Sequence, residues 1–139
     1  MRYLLDTNVL SEPLRPLPDR GVLRRLQAHA AEIAVAAPVW HELCFGCARL
    51  PAGKRHDAIV AYLEGGVFAA FPVLPYDAAA ARWHANERAR LAAAGRTPPF
   101  VDGQIAAIAA TQSLTLVTAN RADFEAFEGL ELADWRSKR

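Results

Sequence analysis

Lysine is almost missing from this chain: 14 of its 16 basic residues are Arg, leaving only Lys54 and Lys138. Cysteine is just as scarce. Cys44 and Cys47 stand three residues apart, which excludes a disulfide framework and fits a reducing cytoplasm. No apolar run is long enough to cross a bilayer; the longest, Ile33 to Trp40, is interrupted by Pro38. The first residues lack the basic head and apolar stretch of a secretory leader, so no membrane association is expected. A net charge of +1 excludes both a bulk polycation and an acidic solvating tail. Linkers, repeats and low-complexity segments are absent too, and residues 1–139 are expected to form one domain.

What is present alternates between two periods. Tyr3-Leu4-Leu5, "EIAVAAP", "FPVLPYD" and "LTLVTAN" predict four short strands, with a fifth, edge strand at Leu130 to Leu132. Between them lie helical stretches. A short one starts near Asn8 and stops against Pro13, Pro16 and Pro18; a second begins at Asp19. "PVWHELCFGCARL" has Pro38 at the favoured first helical position and Val39, Leu43, Cys47 and Leu50 on one face. "AGKRHDAIVAYLEGG" reads as a helix ended by Gly65-Gly66, and Asp77 caps the Ala-rich helix that Gly95 closes. Asp102 opens the next helix after the stiff "RTPPFV" loop, and Asn120 starts a last one running to Phe127. Such alternation means an α/β fold with a mainly parallel sheet of four to five strands. Sites in these sheets form at the carboxyl ends of the strands, near a switch in strand order. Asp6 follows the first strand, and Thr118 and Asn120 follow the fourth.

Each acid near those strand ends has a structural reading. Asp6 could cap a helix, Asp102 sits where an N-cap is expected, "NRAD" from Asn120 to Asp123 resembles a capping box, and Glu42 could be an exposed helix charge. Together they point elsewhere. Asp6 and Asp123 are tied to strand ends expected to be adjacent, Asp102 heads the helix leading into the fourth strand, and Glu42 has Gly46 one turn on, leaving space beside its carboxylate. Clustered carboxylates cannot all stay ionised without a cation. Mg²⁺ or Mn²⁺ suits oxygen ligands of this kind, and a hydrated divalent ion in a carboxylate pocket serves phosphodiester hydrolysis.

The stretches "LLDTNVLSE", "HEL" around Glu42, "VDGQIAAIA" from Val101 and "LVTANRADF" from Leu116 occur in family order and spacing, followed by "LELADW". On these the chain resembles PIN-domain nucleases over essentially its whole length, in particular the VapC-like toxins of type II toxin–antitoxin pairs and the related FitB-like proteins. The resemblance implies a three-layer α/β/α sandwich. It carries the family's acidic positions to Asp6, Glu42, Asp102 and Asp123, and its polar positions to Asn8, Thr118 and Asn120. Arg121-Ala122 and Asp102-Gly103-Gln104 depart from the commonest toxin wording but leave every acid in place.

By that resemblance Asp6 and Asp102 hold Mg²⁺ (or Mn²⁺ as substitute) most directly, Glu42 and Asp123 complete the pocket, and Asn8, Thr118 and Asn120 orient carboxylates and waters. The implied reaction is endonucleolytic RNA hydrolysis leaving a 5′-phosphate and a 3′-hydroxyl. The implied partners are an RNA substrate, a small VapB-like antitoxin that fills the acidic groove, and a second copy of the chain. DNA is met only through the antitoxin. Two other readings stay open: a FitB-like protein-binding component of a DNA-binding regulatory complex, and a housekeeping RNA-processing nuclease.

Competing chemistries fail on single residues. A zinc-protease helix needs a second His four residues after His41, where Phe45 stands. A haloacid-dehalogenase-like phosphatase needs an acid where Asn8 stands. Cys44 and Cys47 read as helix-face cysteines, and His29, His56 and His84, scattered in sequence, as surface or capping groups. With four site acids set aside from 15, 11 remain against 16 basic residues, a surplus of five that suits a phosphate backbone. Arg49 and Arg96, near Glu42 and Asp102 in sequence, are the expected RNA contacts, and the tail basic residues Arg136, Lys138 and Arg139 add to the surface charge.

Overall fold

The computed structural model describes residues 1–137; Lys138 and Arg139, counted above in the basic surface, lie outside the described residues. Five short strands build the sheet: β1 (Tyr3–Leu5), β2 (Ile33–Ala36), β3 (Val73–Leu74), β4 (Thr115–Val117) and β5 (Leu132–Ala133). Their order is β3-β2-β1-β4-β5, with every pairing parallel. Leu4, Leu5, Leu116, Val117 and all four residues of β2 are buried on either face, as a parallel sheet covered on both sides requires. The chain winds outward from β1 through β2 to β3, then returns to β1's other side for β4 and β5. The switch in direction therefore falls at β1 and β4, where ligand crevices form in such sheets.

The helices follow the predicted periods, with instructive departures. Asp6 caps the one-turn α1 (Thr7–Leu10), which a 3-10 turn at Glu12–Leu14 follows. Asp19 caps α2 (Arg20–Ala28), accepting the Val22 N–H at 3.1 Å, and also takes the Ser137 N–H at 3.0 Å. That second bond pins the end of the described chain to α2, and Gly21 allows it: a Cβ there would collide with Ser137 and the Trp135 carbonyl. In α3 (Ala37–Ala48), Val39, Leu43 and Cys47 are buried as expected. Cys44 is half-buried, and both thiols are free.

The expected stop at Gly65-Gly66 does not occur. α4 (Lys54–Ala61) runs straight into a π-helical stretch, Tyr62–Phe68. Neither glycine takes a left-handed φ, so nothing breaks the helical path. The π turn keeps Leu63 and Val67 in the core, and the Tyr62 hydroxyl donates to the Leu10 carbonyl at 2.6 Å. Asp77 caps α5 (Ala78–Ala93), and Gly95 closes it at a φ of 77°. α6 (Phe100–Thr111) buries Ile105 to Ala109. The last helix is shorter than expected: α7 spans only Arg121–Phe124. The edge strand lies slightly beyond its expected place, at Leu132–Ala133. Among the described residues no helix is long and apolar enough to cross a membrane.

Candidate active site at the carboxyl edge of the sheet

Strand β1 ends in buried Leu5 and delivers Asp6 directly into the crevice. The Asp6 N–H donates to the Val117 carbonyl at 2.9 Å, extending the β1–β4 ladder by one rung. Both carboxylate oxygens are then held. Oδ1 accepts the Thr7 N–H at 2.8 Å, and Oδ2 accepts the Thr118 hydroxyl at 2.9 Å from 112 residues away. Thr118 is fully buried, and its own oxygen accepts the Asn120 N–H at 3.0 Å. A chain of three hydrogen bonds thus fixes the Asp6 carboxylate while leaving lone pairs on each oxygen. Helix capping and site formation are the same arrangement here.

Asp102 corrects an expectation. It is not the N-cap of α6; Pro99 holds that position in extended conformation, and no side chain caps the helix. Asp102 stands instead in the first turn, half-buried, with its carboxylate released from capping. Its pKa is pushed up to about 6, first by burial and then by the charges of Asp123 and Asp6. The structure therefore brings Asp6, Asp102 and Asp123 into one electrostatic group. The capping box read from "NRAD" is not formed either: the Asn120 side chain makes no cap bond, and Asp123 is exposed at α7. Asp123 faces a cleft of about 300 Å³ shared with Arg96, Thr97 and Pro98, so Arg96 stands in the same cleft as one of the acids, Asp123.

Glu42 is set apart. It is exposed on α3 and opens on a cleft of about 430 Å³ with His41, Tyr76, Val101 and Gln104. The last two flank Asp102, so Glu42 faces the same turn of α6 across a second basin. Arg49, at the far end of α3, lies over the Phe45 ring at 4.8 Å and lines neither basin. Asn8 is exposed and borders a third cleft, with Glu12, Arg15 and Ala119, on the β4–β5 side.

Among the described residues no three His, Cys, Asp or Glu side chains converge as a finished metal cage. The donor set nonetheless fits a hard divalent cation. It consists of carboxylate oxygens, with the pKa of Asp102 raised first by burial and then by the charges of Asp123 and Asp6, and a hydrated ion needs few direct protein ligands.

Two features escaped the sequence reading. His84, expected at the surface, is buried in α5: its Nδ1 and the Tyr76 hydroxyl share a 2.8 Å hydrogen bond, and its ring presses on Gly103 beside Asp102. Burial, then Arg88, holds its pKa down and the ring neutral. His29 and His56 are half-buried, each beside an acid of its own. Glu12 is also buried, in the short turn after α1. Its one sequence signal is the Arg three residues on, which pairs with it at 3.2 Å.

The comparisons with known proteins agree with this geometry. The PIN domain family model matches residues 3–130. The chain is 39% identical over 132 residues to VapC ribonuclease Y4jK of Sinorhizobium fredii, covering 93% of this chain and 94% of that one. It is 35% identical over 135 residues to Toxin FitB of Neisseria gonorrhoeae, covering 95% and 97%. The solved structure of FitAB bound to an IR36 DNA fragment superposes with a TM-score of 0.88 at 30% identity, covering 99% of this chain and 98% of that one. With its parallel sheet in the order β3-β2-β1-β4-β5, its carboxylates at the carboxyl edge and these relatives along nearly its whole length, the chain belongs to the PIN-domain family.

Proposed function

We propose that this protein is a Mg²⁺- or Mn²⁺-dependent endoribonuclease and the toxin of a type II toxin–antitoxin pair. The observation that carries the reading is the meeting of acids at the switch point of the sheet. Asp6, fixed by Thr7 and Thr118, and half-buried Asp102, which feels the charges of Asp123 and Asp6, form a group that a divalent cation would neutralise. The names of the relatives, a VapC ribonuclease and a toxin, support it.

Asp6 and Asp102 would hold the ion, with Asp123 and Glu42 completing the pocket across its two basins. Such an ion, when bound, acidifies water and offsets the charge that develops on the phosphate. The chain's own groups do the rest. Thr7 and Thr118 keep the Asp6 carboxylate from turning, so its free lone pairs face the crevice. Asp102, half-buried in the first turn of α6 and tied up by no cap bond, is free to meet the ion. Arg96, across the cleft from Asp123, is placed to draw a phosphate toward the acids. Asn120, tied to Thr118 through its N–H, keeps its side chain for waters or substrate.

The proposed partner is a VapB-like antitoxin that fills the acidic groove of a toxin homodimer and reaches DNA on its behalf; that a relative is found as FitAB bound to a DNA fragment supports a partner and the DNA. The cytoplasm, where its RNA targets lie, is the proposed site of action. Expression of the chain alone tests the reading. Growth arrest that Asp6→Asn abolishes is the expected result. Unimpaired growth with folded protein accumulating, or arrest that survives Asp6→Asn, would overturn it and favour a binding role.

A further inference from the structure

The third cleft, of about 300 Å³, is not accounted for by metal binding or hydrolysis. It continues the crevice toward β5: Asn8 lies two residues past Asp6, and Ala119 directly follows the Thr118 that bonds Asp6. Glu12 forms its unusual wall. The Glu12 side chain is only 6% exposed, yet its one ion-pair partner among the described residues is Arg15, whose side chain is 69% exposed. A single nitrogen of Arg15 serves both carboxylate oxygens, at 3.2 and 3.4 Å, long for charge-assisted bonds. Arg136 is near enough to feel the Glu12 charge but, among the described residues, makes no hydrogen bond or ion pair with it. It is locked by Asp134 at 2.6 Å and by the Ala119 carbonyl at 3.3 Å, and acts as a fixed wall.

A buried carboxylate with two weakly engaged oxygens calls for a planar group carrying two adjacent N–H donors. Among the bases of RNA, guanine alone offers that pair, N1–H and N2–H, on its Watson–Crick edge. Unpaired bases are commonly read on this edge. We propose that the Glu12 cleft receives an unpaired guanine close to the scissile phosphate and sets the sequence preference of cleavage. The inference rests on the ribonuclease reading above. Arg15, displaced from Glu12 by the base, keeps its exposed guanidinium for the neighbouring phosphate. The recognised RNA is single-stranded at this point, because pairing would occupy the edge that Glu12 reads.

Binding can be separated from cleavage. Full-length protein in EDTA is titrated with guanosine, inosine and adenosine 5′-monophosphates and followed by amide NMR shifts. Inosine lacks only the 2-amino group. The expected result is guanosine binding about tenfold tighter than either of the others, within what one bidentate base contact supplies. Shifts should centre on Asn8, Glu12 and Ala119, and Glu12→Gln should remove the preference. Equal binding of all three nucleotides, or a preference that Glu12→Gln leaves unchanged, overturns the proposal; the nucleotide series decides even if that variant fails to fold. Tighter binding of methylguanidinium than of guanosine monophosphate also overturns it, giving the cleft to an arginine of a protein partner. Active enzyme whose mapped cuts show no guanine at a fixed distance counts against the cleft alone. Selective guanosine binding without RNA cleavage counts against the nuclease alone.

Discussion

The ring of His84 fills the space beside the α carbon of Gly103, one residue beyond Asp102, so that a side chain at position 103 would overlap it. His84 cannot swing away without breaking its bond to Tyr76. Gly103→Ala should therefore cost about 1–3 kcal/mol of stability, despite alanine's better helix propensity, and misplace Asp102. Pairing it with His84→Ala removes the obstruction and should recover most of the loss relative to His84→Ala alone. Urea unfolding of the two single variants and the double variant measures the coupling. A Gly103→Ala protein as stable as the parent would contradict the contact.

Thr118 supplies the only side-chain donor to Asp6 among the described residues and accepts from Asn120. Thr118→Val keeps the shape and removes both roles. Leaving a buried carboxylate oxygen and an N–H without partners should cost about 1–3 kcal/mol. Metal-dependent cleavage should fall about tenfold or more, as it does when a ligand's supporting bond is lost. Thr118→Ser retains the hydroxyl and should stay close to the parent in both measurements. Equal losses in the two variants would point to packing rather than to the hydrogen bond.

Asp102 gives stability a pH dependence of definite sign. Its pKa is raised from an ordinary 3.8 to about 6, so between those values the folded protein binds more protons than the unfolded chain. Stability from this group therefore falls as pH rises from about 4 to 6, and the penalty persists above. Without divalent ions, Asp102→Asn should melt above the parent at pH 7.5, with the gap closing near pH 4. Mn²⁺ should raise the parent's melting temperature more than the variant's. Scanning calorimetry at both pH values decides it; an unchanged gap would remove Asp102 from the charged cluster.

How far the residues announced this structure depends on which force governs each feature. Strands β1, β2 and β4 were legible because runs such as Tyr3-Leu4-Leu5 bury both faces of a parallel sheet. Asp6 and Thr118 were legible as strand-end polar residues, although their mutual bond spans 112 residues and no local pattern contains it. Asp102 stands where the sequence leads one to expect an N-cap, but the Pro-rich loop yields to helix three residues sooner than its polarity implies. Gly65-Gly66 looked like a stop because glycine's helix penalty is a local quantity, whereas Leu63 and Val67 hold that segment by tertiary burial. His84 and Glu12 were invisible for the same reason: nothing near them in sequence shows that Gly103 or the β5 edge will close over them.

Glu42 separates chemistry from folding. It is exposed and has no hydrogen-bond or ion-pair partner among the described residues, so Glu42→Gln should shift stability by less than about 0.5 kcal/mol. If its carboxylate completes the pocket from the α3 side, turnover should fall at least tenfold with the fold unchanged. Parallel unfolding and cleavage assays check this, and undiminished turnover would confine the site to the three aspartates.

The central claim is that these carboxylates perform metal-dependent RNA hydrolysis, and one cleavage assay tests it directly. Partner-free protein is incubated with total tRNA and rRNA in Mg²⁺, in Mn²⁺ and in EDTA, with Asp6→Asn in parallel, and the new ends are mapped. The account predicts cuts bearing 5′-phosphates and 3′-hydroxyls that disappear in EDTA and in the variant. Cuts that persist in EDTA or in Asp6→Asn, or no cuts at all from folded protein with either metal, would contradict it.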